Sequence, residues 1–394
     1  MGVDLIMKKT VYNGCDLLDT PKAIELLKGK KLGLLTNMSG VSKDLKLSTT
    51  ELASKYNLCA LLAPEHGIMG AKQAGSFDNE IFKDPETGLP VHNIFGMGCD
   101  GIPATTEEAI TSLDAVVVNI QDIGIRYYTY QFAMLDCMKI CAKHNVEVII
   151  LDRVNPLGGV NVLGNRIEKD CVSGVGGVDS QPAIYGMTIG ELALWFNAHL
   201  DVGARISVLP CDGWSRDMWF DDTDLLFVPP SPNMPSIETA ILYPGTCFFE
   251  GTNLSEGRGT TKPFELFGAP WLDCDKLLDG ISALPSEAKE SFEGLVFRKC
   301  CFTPVFSKHK DTLCNGIQLH IRDRNSVDMY TAGLSIIHVI KQIHPDNFEY
   351  TRTMHLLTGT KKSISDDFIP WEYTNSQKTE LERFKEERKQ FLIY

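Results

Sequence analysis

The segment Leu61–Gly67, LLAPEHG, runs apolar up to Pro64 and then sets a carboxylate, Glu65, beside an imidazole, His66. Two more carboxylates, Glu250 and Glu256, stand among Gly251, Gly257 and Gly259 in EGTNLSEGRGTT, and glycine lets a backbone approach a ligand closely. Glycoside cleavage asks for such a pair: one carboxyl protonates the leaving oxygen, and a second activates water or supports the charge developing on the sugar. Glu65 follows Leu61, Leu62 and Ala63, and partial burial suits an acid that must keep its proton. His66 is placed to orient it or to meet substrate. Asn253, Arg258, Thr260 and Thr261 offer donors for sugar hydroxyls or a carboxylate, the arginine as a two-pronged fork. Tyr127, Tyr128, Tyr130, Phe248, Phe249 and Trp271 either stack on sugar faces or fill the core.

These groups need a scaffold. Apolar runs at Lys30–Asn37, Leu58–Gly67, Ala115–Asp122 and Val146–Pro156 alternate with helix-period segments at Ser48–Tyr56, Thr105–Asp114, Tyr128–Asn145 and Thr188–Leu200; a last strand follows at Ala204–Trp214. Such alternation predicts an α/β fold: a Rossmann-like, mostly parallel sheet with helices on both faces. Ligands of such sheets bind at the carboxyl ends of the strands. Those ends carry Asn37, Glu65-His66, Gln121-Asp122 and Asp152-Arg153, with Arg126 just beyond, so convergence into one polar cleft is expected. The proline-rich FVPPSPNMPS, Phe227–Ser236, marks a boundary. It divides residues 1–230, a catalytic domain, from residues 231–394, a smaller α+β domain closing the cleft. In the second part Leu313–Asp323 reads as a strand, YTAGLSIIHVIKQIHP as an apolar helix, and KTELERFKEERKQF as a solvated helix.

Other chemistries fit less well. The chain has 394 residues, 43% hydrophobic and 23% charged, with a formal net charge of -13. That balance argues against nucleic acid and against an anionic membrane surface as partners. No run approaches the ~20 apolar residues of a membrane span, and no secretory signal is visible, so a cytoplasmic protein is expected. The 12 cysteines form no C-x-x-C pair and read as free thiols. Gly96, Gly98 and Gly101 match the G-x-G-x-x-G spacing of dinucleotide sites, but Pro103 would sit inside the helix that motif requires. A turn-rich loop is the reading. Neither an H-E-x-x-H helix nor a G-x-S-x-G elbow is present. No metal and no cofactor are expected.

The ordered motifs APEHGIMGAKQAG, NIQDIGIRYYTY, LDRVNPLGG, YGMTIGELA, PPSPNMP and EGTNLSEGRGTTKPFELFGAPW resemble those of the peptidoglycan exo-β-N-acetylmuramidase family, from about Lys31 to about Pro345. The resemblance implies a Rossmann-like domain, a smaller C-terminal domain and an active site between them. It implies exo-release of N-acetylmuramic acid from non-reducing ends of peptidoglycan fragments. The glutamate of its PEHG motif falls on Glu65, and its second motif on Glu250–Thr261, leaving Glu250 or Glu256 as second carboxylate. Asn155 and Asn233 stand in matched motifs as substrate-binding candidates, and Arg126, Arg153 or Arg258 would hold the lactyl carboxylate. The chain departs from the family pattern at Asn119, Val154 and Ile184. Two other classes stay open: a non-catalytic cell-wall sugar-binding protein, and a nicotinamide oxidoreductase using Gly96–Gly101.

Overall fold

The chain is described by a computed structural model covering residues 8–76, 80–96 and 101–394. The aliphatic runs form β1 (Leu32–Thr36), β2 (Leu58–Ala63), β3 (Phe82–Lys83), β4 (Pro90–Asn93), β5 (Ala115–Asn119) and β6 (Glu147–Leu151). Next come β7 (Leu163–Arg166), β8 (Pro182–Ile184) and β9 (Arg205–Leu209), then β10 (Leu266–Ala269), β11 (Leu295–Phe302) and β12 (Cys314–Ile321). A 7-stranded sheet has the order β3-β4-β2-β1-β5-β6-β9. Its neighbours run parallel except β3 on β4. A 2-stranded ribbon joins β7 to β8, and the C-terminal part carries a 3-stranded sheet, β10-β12-β11. The expected α/β class, with a smaller second part built on an antiparallel sheet, is what forms.

Strand side chains alternate between faces, and here each face is buried. Leu32, Leu34, Leu61, Val117, Ile149 and Leu151 pack with Ala23, Leu27 and Leu52 from the helices Pro21–Leu27 and Ser48–Lys55. Leu35, Leu62, Val116, Val118, Val148 and Ile150 pack on the opposite side with Ile110, Met134, Met138 and Leu192. That second core continues without a break through Tyr127 and Phe248 into the helix Met329–Ile343 and on to Phe384. The helix Ile189–His199 starts where its sequence says it should. Thr188 Oγ1 accepts from Glu191 N at 3.2 Å and Thr188 N donates to Glu191 Oε2 at 3.0 Å, a capping box.

The structure bears on two sequence readings. Residues Gly96 and Gly101 lie against each other in a loop, and Pro103 is the cap of the helix Ala104–Thr111, one residue earlier than expected. Gly98 lies outside the described residues. No strand-to-helix glycine turn is formed by the part that is described, in keeping with a proline that permits only a first-turn position. The charged tail forms the expected helix, Lys378–Arg388, but it is docked through Leu381, Phe384 and Arg388 and not solvated all round. Phe384 is fully buried, and Arg388 donates to Tyr185 O at 2.7 Å and to Val160 O at 3.1 Å. The Tyr394 hydroxyl donates to Asp152 Oδ2 at 2.7 Å.

One crossing positions the second half of the site. The helix Ile237–Thr246 meets the helix Met329–Ile343 at Gly245 and Gly333. A Cβ added at Gly333 would fall 2.5 Å from both Cα and O of Gly245, so only glycine allows this approach. The turn Cys247–Gly251, which carries Glu250, follows directly. Gly333→Ala is expected to destabilise the protein by about 1–3 kcal/mol, the range for over-packing a well-filled core. Denaturant unfolding checks this, and an unchanged midpoint would show that the helices have room to separate.

Candidate active site

The strand β2 ends at Ala63, and Pro64 stops it from continuing. His66 then takes a left-handed conformation with φ 72, followed by Gly67 with φ 75, which turns the chain sharply and leaves Glu65 facing inward at 6% exposure. Glu65 Oε1 accepts from Gly75 N at 2.6 Å, and Oε2 lies 2.5 Å from Thr129 Oγ1. A hydroxyl there can donate to a carboxylate or accept from a carboxylic acid. His66 Nδ1 lies 2.7 Å from Lys72 O; a carbonyl only accepts, so Nδ1 carries a proton.

The second carboxylate comes from the other half of the chain. Arg258 Nη1 binds Glu250 Oε1 and, at 3.1 Å, Glu256 Oε1. The guanidinium lies over the Phe264 ring, 4.8 Å from its centroid. Lys308 Nζ reaches Glu256 Oε2 at 2.8 Å and donates to Phe249 O at 2.7 Å and Thr252 O at 3.0 Å. Burial opposes charge on Glu256, but Lys308 and Arg258 outweigh it and hold its carboxyl below the usual range. Burial, together with the neighbouring Glu256, pushes Glu250 above the usual range against the pull of Arg258.

Between these two groups lies a cavity of about 270 Å³. Glu65, His66, Tyr128, Asn233, Glu250 and Arg258, all singled out by sequence, line it. Glu256 does not: it is 1% exposed and sits behind Arg258. Thr129, Gly75, Tyr243, Cys247, Phe264, Thr353 and Leu357 also line the cavity. Thr129 stands at the start of the helix Tyr130–Lys143, and its place in YTYQF beside Tyr128 was the available signal. No chain spacing points to Lys308.

The remaining sequence candidates are turned into the protein or lie outside the cavity, which corrects the picture of one cleft at the strand ends. Asn37 donates to Tyr130 Oη at 2.7 Å and Pro230 O at 3.1 Å. Gln121 accepts from Arg153 Nε at 2.9 Å, and Arg153 Nη1 donates to Val41 O at 2.9 Å and Asn119 Oδ1 at 3.1 Å. Asp122 accepts from Tyr185 Oη and from Gly124 N, and burial pushes its carboxyl up to about 6. Asp152 accepts from Thr188, Gly190 N and Tyr394, and burial likewise raises it to about 6. Arg126 is fully buried, donating to Asn165 O, Gln181 O and Leu357 O. Neither Arg126 nor Arg153 is available to a lactyl carboxylate. Asn155 ties Met187 O to Leu157 N, and Asn253 ties Asn347 O to Glu349 N. Thr260 closes a turn on Gly257 O at 2.6 Å, and Thr261 is exposed outside the cavity. Among the described residues, no group of three or more His, Cys, Asp or Glu side chains could hold a metal ion, and no helix is long and apolar enough to cross a membrane.

The chain matches family models on both sides of the cavity. The model for the N-terminal part of exo-β-N-acetylmuramidase NamZ covers residues 32–238, and the C-terminal model covers residues 241–394. A curated relative, peptidoglycan β-N-acetylmuramidase NamZ of Bacillus subtilis (strain 168), is 39% identical over 98% of this chain and 92% of its own length. A crystal structure of a DUF1343 family protein from Bacteroides fragilis NCTC 9343 superposes with a TM-score of 0.84 at 30% identity, covering 98% of this chain and 99% of the other. A second such protein from that organism gives 0.75 at 28% identity, with the same coverage. With both halves matched end to end, and the motif glutamates falling on the two walls of one cavity, the chain belongs to the exo-β-N-acetylmuramidase NamZ family.

Proposed function

We propose that this protein is an exo-acting glycoside hydrolase that releases N-acetylmuramic acid from the non-reducing ends of peptidoglycan fragments. The observation that carries the reading is a single cavity with Glu65 on one wall and Glu250 on the other. Glu65 acts as the general acid on the glycosidic oxygen. Its place on the cavity wall at 6% exposure supports this role, because a general acid must meet the glycosidic oxygen directly. Glu250 is the second carboxylate, activating water or supporting the oxocarbenium-like centre. The choice of Glu250 over Glu256 rests on exposure to the cavity: Glu256 is enclosed between Arg258 and Lys308. Glu256 then serves as the fixed countercharge that keeps Arg258 in place against Glu250.

Leaving-group chemistry separates the two roles. A general acid contributes about 10²–10⁴-fold to rate, and it matters least when the leaving group departs unaided. Glu65→Gln is therefore expected to slow release of N-acetylmuramic acid from a disaccharide by that factor, while a 4-nitrophenyl glycoside loses far less. Glu250→Gln should slow both substrates alike. Steady-state rates on the two substrates check this, and the opposite pattern would hand the acid role to Glu250.

The pH profile gives a second check. A base must be ionised, so activity falls as pH drops through the Glu250 value, which burial and Glu256 hold above the ordinary glutamate range of about 4. Lys308 pulls that value down. Lys308→Met removes the pull, so the acid limb of kcat/KM should move to higher pH. A limb that stays in place would detach Lys308 from the reacting carboxylate.

A further inference from the structure

The cavity contains a buried donor that the protein leaves unused. Tyr128 lines the wall beside Glu65, is 6% exposed, and its hydroxyl has no well-formed hydrogen bond. The neighbouring hydroxyls do not take it up. Ser231 and Tyr130 both lie close, the latter already accepting from Asn37 and donating to Pro230 O, but neither forms a hydrogen bond of good geometry with Tyr128. The ring itself is fixed edge-on between Tyr130 and Tyr243, with centroids 5.1 and 6.0 Å away. A buried hydroxyl without a partner costs stability. A fold that keeps one rigidly at a cavity wall has prepared a hydrogen bond for a ligand.

The surroundings say what kind of ligand group. Burial, with Asp122 and Glu65 nearby, holds the phenol well above its usual range, so it is a neutral donor. A buried spot with no cation beside it among the described residues is unfavourable for an anion, which disfavours the lactyl carboxylate there. A neutral carbonyl fits. Met234 and Tyr243 also line the cavity, an apolar surface suited to a methyl group. On the reading of the site given above, we infer that the Tyr128 hydroxyl donates a hydrogen bond to the acetamido carbonyl of the bound sugar, making Tyr128 a specificity-determining residue for 2-acetamido substrates.

The test is Tyr128→Phe in the full chain, which removes one oxygen and keeps the ring. Two substrates are compared: a 4-nitrophenyl β-N-acetylmuramide and its de-N-acetylated counterpart. Where the latter is not turned over, inhibition constants of the two free sugars replace it. The variant should lose about ten- to a hundredfold in preference for the acetylated compound. Its melting temperature without ligand should stay level or rise, because an unpaired buried group has been deleted. Three outcomes overturn the inference: preference unchanged, both compounds weakened equally, or a clear fall in melting temperature with preference intact, which would mark Tyr128 as structural. If wild-type protein cleaves no muramide at all, the hydrolase reading itself falls; if wild type is active and preference survives in the variant, only the role of Tyr128 does.

Discussion

Everything on the C-terminal side of the cavity depends on a buried guanidinium shared between two carboxylates. Arg258 is held by Glu250 and Glu256 together, and Lys308 adds a second positive charge behind Glu256. Breaking such a set by removing one member leaves an uncompensated buried charge, at a cost of about 3–5 kcal/mol. The backbone is arranged to keep the set intact. Gly259, with φ 80, accepts from Val305 N at 2.9 Å, and a Cβ at that position would fall 2.7 Å from Phe306 N. This contact draws the loop carrying Lys308 against the loop carrying Arg258. The glycines of the sequence motif thus bring charges together as much as they make room for a ligand.

The sheet tells a complementary story. Its strand order reverses between β1 and β5, where an open α/β sheet ordinarily offers a binding crevice. Here the polar residues at those ends satisfy one another. Thr36 Oγ1 donates to Asn119 O at 2.7 Å, and Arg153 bonds Gln121 and Asn119. Buried polar groups require partners, and this network supplies most of them from within the chain, leaving Asn119 Nδ2 without one. Further along the same edge Tyr394 caps Asp152. The cavity opens instead beside β2, where Glu65 lines it just past the strand end.

Much of this was legible beforehand, and the division follows a physical line. Continuous apolar runs determined β1, β2, β5 and β6, since each of those strands is buried on both faces or nearly so, whereas the edge strand β9 is only partly buried. Glu65 and the Glu250–Arg258 segment were readable because chemistry-bearing residues beside Pro or Gly imply a turn at a ligand. The direction of a side chain was not readable. Arg126 and Arg258 look alike in sequence, yet one reaches three backbone carbonyls and the other two carboxylates. Lys308 enters from a loop 50 residues beyond Arg258 with no spacing to announce it. The ribbon β7–β8 is too short for periodicity to register. The tail misled because its composition is charged, while Phe384 and Arg388, the residues that dock it, are few.

Each carboxyl is anchored by its own half of the protein. Gly75 and Thr129 fix Glu65, and Arg258 fixes Glu250. Turning Glu65 inward places His66 at positive φ, a conformation that costs an ordinary residue about 1–2 kcal/mol, offset by the His66–Lys72 bond within the same loop. The distance between the two carboxyls is therefore set by whatever joins the halves. That is the common apolar core: Tyr127 packs on Phe248 with ring centroids 5.4 Å apart, and its hydroxyl bonds Pro244 O in the helix leading to Glu250. Across the cavity rim, Asn233 donates to Gln73 at 3.1 Å. Carboxylate separation governs the course of glycoside cleavage, so under the proposed function the geometry between Glu65 and Glu250 is a property of core packing as well as of the two side chains.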